Sequence, residues 1–170
     1  AAADLRLSLF TAACLLRADL TGVEASKANF DGANLRSARG QKMTAPYASF
    51  SKAQLDGADF SGANIEEANF ESVKAAGAKF NVSRGPRARF VKANLRGASF
   101  RGADVRYADM SHAQLDEADL TDTNVAHADM HRAQRHNVRM QGANVTGVRE
   151  TDPDRARAED FESGSRSNGG

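Results

Sequence analysis

The stretch KANFDGANLRSARG, Lys27 to Gly40, sets ANF and ANL five residues apart. The same spacing runs through AQLDGADFSGANIEEANF (Ala53–Phe70) and ANLRGASFRGADVRYADM (Ala93–Met110). Of the 29 positions that are multiples of five between 5 and 145, 23 hold Leu, Phe, Ile, Val or Met. Ala fills 22 of the 30 positions 3, 8, 13 and so on to 148, each two residues before a multiple of five, although only 32 of the 170 residues are Ala. The register does not slip from one end of this span to the other. An α-helix turns 100° per residue, so five residues advance by about 140° and the apolar groups would spiral around it without making a face. A strand alternates its side chains, and five is odd, so successive repeats would change faces. The remaining arrangement turns a corner in every repeat. The two residues at spacing two point inward together, and four corners close a square coil of twenty residues.

That geometry predicts that residues twenty apart stack. One column reads Phe10, Phe30, Phe50, Phe70, Phe90, Met110, Met130, and the next contains Leu15, Leu35, Leu55, Ala75, Leu95 and Leu115. Phe30, Phe50, Phe70, Phe90, Leu35, Leu55, Leu95 and Leu115 are therefore the expected core. Stacked side chains in contact should keep one shape. Where the inward residue shrinks to Ala25, Ala45 or Ala75, its inward neighbour grows to Val23, Met43 or Val73, as a close-packed interior requires. Ser83 and Gly85 lack this compensation, and Phe70, Phe80 and Phe90 are expected to fill the space. Outside, Asp19, Arg39, Asp59 and Lys79 alternate in sign. Asn34, Gln54, Asn94, Gln114 and Gln134 are expected to form an amide ladder, interrupted by Lys74.

The units ADL, ANF, ANL, ADF and ADM, each followed by two polar residues, resemble the A(D/N)LXX signature of pentapeptide-repeat proteins over roughly Ala18 to Val145. The resemblance implies an all-β fold, a right-handed quadrilateral β-helix of about seven coils, with the apolar residue and the Ala lining its interior. Residues 1–149 form this solenoid, with a degenerate first coil over 1–17 where Leu7, Leu9 and Leu16 occupy polar slots. Arg135 and Glu150 break the pattern at the other end. Asp152 as N-cap and Pro153 at the first helical position then start a capping helix over 150–162. Its Ala156, Ala158 and Phe161 are expected to rest on the last coil. Residues 163–170 read as a disordered tail. End-to-end oligomers or neighbouring domains are the expected partners of the termini.

Scarce bulk fits a thin repeat core: the chain has no Trp, two Tyr and nine Phe. Cys14 is the single cysteine, so no intrachain disulfide forms. No apolar run approaches the ~20 residues of a membrane span. The chain has no initiator Met and no signal-peptide pattern. It is therefore expected to be a fragment or a processed form, cytoplasmic or secreted as an effector.

No catalytic constellation and no phosphate loop is present, and the carboxylates mostly fill the repeat's Asp/Asn slot, so no enzyme activity and no cofactor is expected. His112, His127, His131 and His136 cluster in sequence, with His127 and His131 placed near one corner and His136 a face further on; too few ligands converge for zinc, so no metal is expected. The short patterns NVS (Asn81–Ser83) and NVT (Asn144–Thr146) are read as chance matches to a glycosylation acceptor. The segment NVSRGPRARF (Asn81–Phe90) lies in a basic belt, with Asp104 the only acidic residue between 74 and 106. Arg84, Arg87, Arg89, Lys92 and Arg106 are expected to gather at one corner and dock another protein. The competing reading is an inter-coil ladder, Arg87 with Glu67, Arg84 with Asp104 and Arg89 with Asp109. The leading function is thus a protein-interaction scaffold, an effector or adaptor module of a bacterial secretion system. The alternative that the resemblance suggests is a DNA mimic of the quinolone-resistance type, bound to DNA gyrase. Mimicry needs an acidic surface. Residues 1–149 carry 20 Lys and Arg against 16 Asp and Glu, a net of +4, which opposes it. Nucleic-acid binding through the belt lacks interleaved aromatics apart from Tyr107.

Overall fold

In the computed structural model, which describes residues 3–166, every fifth residue from Asp4 to Arg149 forms parallel bridges to the residues twenty positions away. The bridges lie on four walls. Wall 1 carries residues 4, 24 and onward to 144, wall 2 carries 9 to 149, wall 3 carries 14 to 134, and wall 4 carries 19 to 139. The product is a four-sided parallel β-helix.

Each corner is a turn whose third residue is left-handed. Phe30 C=O accepts the Ala33 N–H at 3.0 Å, and Gly32 between them has φ 66°. Many non-glycine residues take this conformation as well; the most strained is the β-branched Val82, at φ 48°. Three further N–H groups of each repeat bond neighbouring coils. Phe30 N–H donates to Ser49 C=O (2.7 Å), Gly32 N–H to Ser51 C=O (2.8 Å), and Asn34 N–H to Ala13 C=O (2.9 Å).

The fifth N–H, on the second turn residue, has no backbone acceptor, and this explains the Asp/Asn slot. Asn29 Oδ1 accepts the Asp31 N–H at 2.8 Å, and the same bond recurs at Asp59, Asn64, Asp109 and Asp119. An unpaired buried donor costs free energy, so the slot favours a short side-chain acceptor. Where the slot holds Ser49, Lys74, Ser99 or Gln134, the acceptor comes from the preceding coil. Asp31, Asp56, Asn81 and Asp116 accept from Ser51, Ala76, Arg101 and His136. Thr44 and Arg84 also lack this acceptor, and the turn residues that follow are Pro46 and Pro86, which have no N–H to satisfy.

The eight expected core residues are all fully buried. Phe10, Phe30, Phe50, Phe70 and Phe90 form one stack with centroids 4.8–5.0 Å apart. Phe60, Phe80 and Phe100 form a second stack that meets the first edge-on. The space at Gly85 is filled differently from the expectation. Ile65, one coil earlier in the same column, lies 2.9 Å from where a Cβ would stand, and no Phe ring is among the nearest atoms. Gly40 is filled in the same way by the Phe60 ring at 3.0 Å. Ser83 of the NVS pattern is buried, and Asn81 Oδ1 accepts from Ser99 Oγ and the Arg101 N–H.

The amide ladder also differs. Asn34 and Asn94 direct Oδ1 to the N–H groups of Arg36 and Arg96 instead of to the amides of neighbouring coils, because the turn donor in the same repeat is nearer. The first coil keeps the bridge register from Asp4 onward, with Leu7, Leu9 and Leu16 on its exposed surface. Helix α1 (Pro153–Arg166) begins where Asp152 Oδ1 accepts the N–H groups of Asp154 and Arg155. It extends through 163–166, which were expected to be tail; residues 167–170 lie outside the described residues. Nor does α1 rest on the last coil by apolar contacts. Ala156 is half-buried, Ala158 is exposed, and Phe161 is 80% exposed. Polar side chains hold α1 against the solenoid instead. No helix among the described residues is long and apolar enough to cross a membrane.

Candidate functional site: a corner groove and a polar latch

The corner between walls 1 and 2 carries a groove of about 470 Å³, lined by Glu66, Arg84, Arg87, Arg106, Tyr107 and His127 among others. Its shape follows from the repeat. Residues 87, 107 and 127 occupy the same corner position in successive coils, so their side chains stack. The Arg87 guanidinium lies 5.9 Å from the centre of the Tyr107 ring, and that ring stacks on His127 at 4.9 Å and 13°. His127 in turn fills the notch left by Gly147, where a Cβ would stand 2.4 Å from Nδ1. The twenty-residue spacing of 87, 107 and 127 was the available signal for this column, which the sequence reading missed.

Of the five cations expected to gather, Arg84, Arg87 and Arg106 line the groove. Arg89 lies on wall 2, and Lys92 at the corner between walls 2 and 3; neither lines it. The ion pairs also differ from the expected ladder. Arg87 pairs with Glu67 at 3.6 Å as expected. Arg84 instead pairs with Glu66, Arg89 with Glu71 at 3.5 Å, and Asp104 with Arg106 at 3.3 Å. The reason is the turn donor. Asp104 and Asp109 already accept the N–H groups of Arg106 and Ser111, which turns each carboxylate toward its own corner. The hydrogen bond from Arg84 holds the Glu66 carboxyl below its ordinary range, and Glu66 in turn raises the Arg84 guanidinium.

The histidines are arranged differently from the sequence expectation. His127 belongs to the groove, and His136 bonds Asp116, Nδ1 to Oδ1 at 2.8 Å. His131 turns to the corner between walls 2 and 3, where it meets His112 and Glu159 of α1. Glu159 Oε2 stands 3.2 Å from His131 Nε2 and 3.3 Å from His112 Nε2. Asp152 N–H donates to His131 Nδ1 at 3.1 Å, which leaves the ring proton on Nε2, facing Glu159. Glu159 Oε1 accepts from Arg155 Nε at 3.0 Å, and Arg132 bonds both Asp160 (2.7 Å) and the Ala156 carbonyl (2.7 Å). Burial pushes the Glu159 carboxyl up, but the bonds from His131 and Arg155 outweigh it and hold the group below its ordinary range. Glu159 was invisible from sequence because its position depends on α1 folding back along the wall.

The family profile described as pentapeptide repeats matches residues 3–39, 46–81, 87–122 and 108–147. No curated protein sequence matches the chain. Among solved structures, a pentapeptide repeat protein from the Arabidopsis thaliana thylakoid lumen is 31% identical, with 62% of this chain and 73% of that one covered at a TM-score of 0.48. A trypsin-treated variant of QnrB1, a plasmid-mediated fluoroquinolone resistance protein, is 17% identical over 96% of both chains at a TM-score of 0.47. HetL of Nostoc sp. strain PCC 7120, involved in heterocyst differentiation regulation, is 22% identical over 86% and 88% at a TM-score of 0.30. The profile match spans most of the chain and agrees with the twenty-residue bridge register, so this chain belongs to the pentapeptide repeat family, whose members fold as right-handed quadrilateral β-helices.

Proposed function

We propose that this chain is a non-enzymatic protein-interaction rod whose basic corner docks an acidic surface of another protein. The observation that supports it is the groove at the corner of walls 1 and 2, where exposed Arg84, Arg87 and Arg106 stand beside the Tyr107–His127 stack. Arg suits this task because its planar fork pairs a carboxylate at two points. The rigid coil holds the guanidiniums at fixed spacing. Docking exchanges the Glu66 and Glu67 carboxylates for those of the partner, so the affinity depends on salt. Arg89 and Lys92 extend the positive surface along the adjoining wall. An adaptor or effector role beside a bacterial secretion system rests on the family likeness alone. A gyrase-binding DNA mimic would need an acidic rod, and the positive balance of residues 1–149 opposes it.

The test compares the chain with a variant carrying Arg84→Gln, Arg87→Gln and Arg106→Gln. A labelled Glu-rich peptide with one Tyr is titrated at low and high salt. The expected result is saturable binding at low salt that the triple variant loses. A charge-matched control, Lys42→Gln, Lys74→Gln and Lys79→Gln, should keep that binding. Equal loss in both variants, or no binding by the unaltered chain, overturns the reading.

A further inference from the structure

The latch that holds α1 has the donor set of a metal site. Two of its three groups are fixed by the β-helix: His112 and His131 come from successive coils at the corner of walls 2 and 3. The third, Glu159, comes from α1. Tetrahedral zinc, with bonds of about 2.0–2.2 Å to nitrogen and oxygen, sets neighbouring ligand atoms roughly 3.3–3.4 Å apart. Two edges of the cluster already have this length, 3.2 Å and 3.3 Å, and all three ligand atoms lie within 4.8 Å of one another. His131 is only 1% exposed, so its ring is held in place by packing. The bond from Arg155 to Oε1 orients the Glu159 carboxylate and leaves Oε2 aimed at both rings.

We propose that His112, His131 and Glu159 bind a divalent transition-metal ion, zinc by their donor chemistry, which staples α1 to the solenoid wall. Two imidazoles and one carboxylate suit zinc or cobalt rather than calcium or magnesium, which take oxygen ligands. The fourth position is left to water. On binding, the ion takes the place of the proton at His131 Nε2. The ring stays neutral by carrying its proton on Nδ1, and the Asp152 N–H turns away from it. His112 binds through Nε2 with its own proton on Nδ1, and Glu159 stays ionised. Around the cluster, Asp129, Glu159 and Asp160 are matched by Arg132, Arg149 and Arg155, with Arg132 Nε 3.5 Å from Glu159 Oε2. This cationic rim makes the site weaker than a closed four-ligand centre. A staple also accounts for how α1 is held with so little apolar contact.

The test titrates Zn²⁺ and Co²⁺ into the full chain. The expected result is one saturable ion per chain, and visible absorption bands of tetrahedral cobalt. Glu159→Gln keeps an amide oxygen for both rings but removes the carboxylate, and should bind roughly tenfold or more weakly; His112→Ala should do the same. His127→Ala and His136→Ala should bind as the unaltered chain does. Hydrogen exchange should show α1 protected by Zn²⁺ and released by a chelator, with no such difference in Glu159→Gln. Three results would each overturn the proposal: no cobalt bands, unchanged binding in Glu159→Gln, or an equal loss in His127→Ala.

Discussion

Phe50→Ala tests the stacked core most directly. Phe50 is fully buried between Phe30 at 4.9 Å and Phe70 at 4.8 Å, with Phe60 edge-on at 5.7 Å. Truncating a buried Phe costs about 3–5 kcal/mol through lost transfer energy and the cavity left behind. This site belongs near the upper end. The rings above and below are held in register by inter-coil backbone bonds such as Phe30 N–H to Ser49 C=O and Phe50 N–H to Asn69 C=O, so the cavity cannot collapse along the axis. The aromatic pairs add roughly 0.5–1.5 kcal/mol beyond area burial. For a chain of this size each kcal/mol lowers Tm by about 2–4 °C, so a loss of 4 kcal/mol predicts a fall of roughly 8–16 °C. Guanidinium unfolding followed by circular dichroism gives the energy, and a thermal scan gives the shift. Phe10→Ala is the comparison. Phe10 is only partly buried and stacks on one side alone, at 5.0 Å from Phe30, so it should cost less than half as much. Equal costs, or a loss under about 1 kcal/mol at Phe50, would refute the stacked-core account.

Three further outcomes follow from individual residues. Val82 is β-branched, 68% exposed and left-handed at φ 48°, so Val82→Gly should stabilise the chain by about 1 kcal/mol; a destabilised variant in the same denaturant assay would show that the conformation is not strained. Gly85→Ala places a methyl 2.9 Å from Ile65 Cγ1 and should cost roughly 1–3 kcal/mol, with the double change to Ala at 85 and Val at 65 recovering part of it. Asp119 is pushed up by burial, but the bonds from Thr121, Arg101 and Arg139 outweigh this and bring its carboxyl well below the ordinary carboxylate range. Its contribution is therefore present above the unfolded carboxyl pKa and is lost as pH falls through the folded value. Asp119→Asn should narrow the stability gap between neutral and strongly acidic solution, and an identical pH profile would remove Asp119 from the account.

The wall-forming repeat was legible in the sequence because it is a local rule applied without a slip. A five-residue period is incompatible with both helix and strand, and the square coil is the arrangement left. Column composition then followed, since residues twenty apart must touch: Phe30, Phe50, Phe70 and Phe90 could be named as a stack from spacing alone. The N-terminus of α1 was equally local, written in Asp152 and Pro153. What tertiary structure decided were the outward side chains, whose choices are set by competition. Arg84 takes Glu66 because the Asp104 carboxylate already serves the turn of its own repeat. Ile65 rather than a Phe ring fills the space at Gly85, because the filling comes from the same column. Arg89 and Lys92 stand outside the groove because five residues of chain are enough to pass a corner. The His112–His131–Glu159 cluster lies furthest from sequence reading. It joins side chains 19 and 28 residues apart, and Glu159 reaches the rings only after α1 has folded back along a wall that it does not help to form.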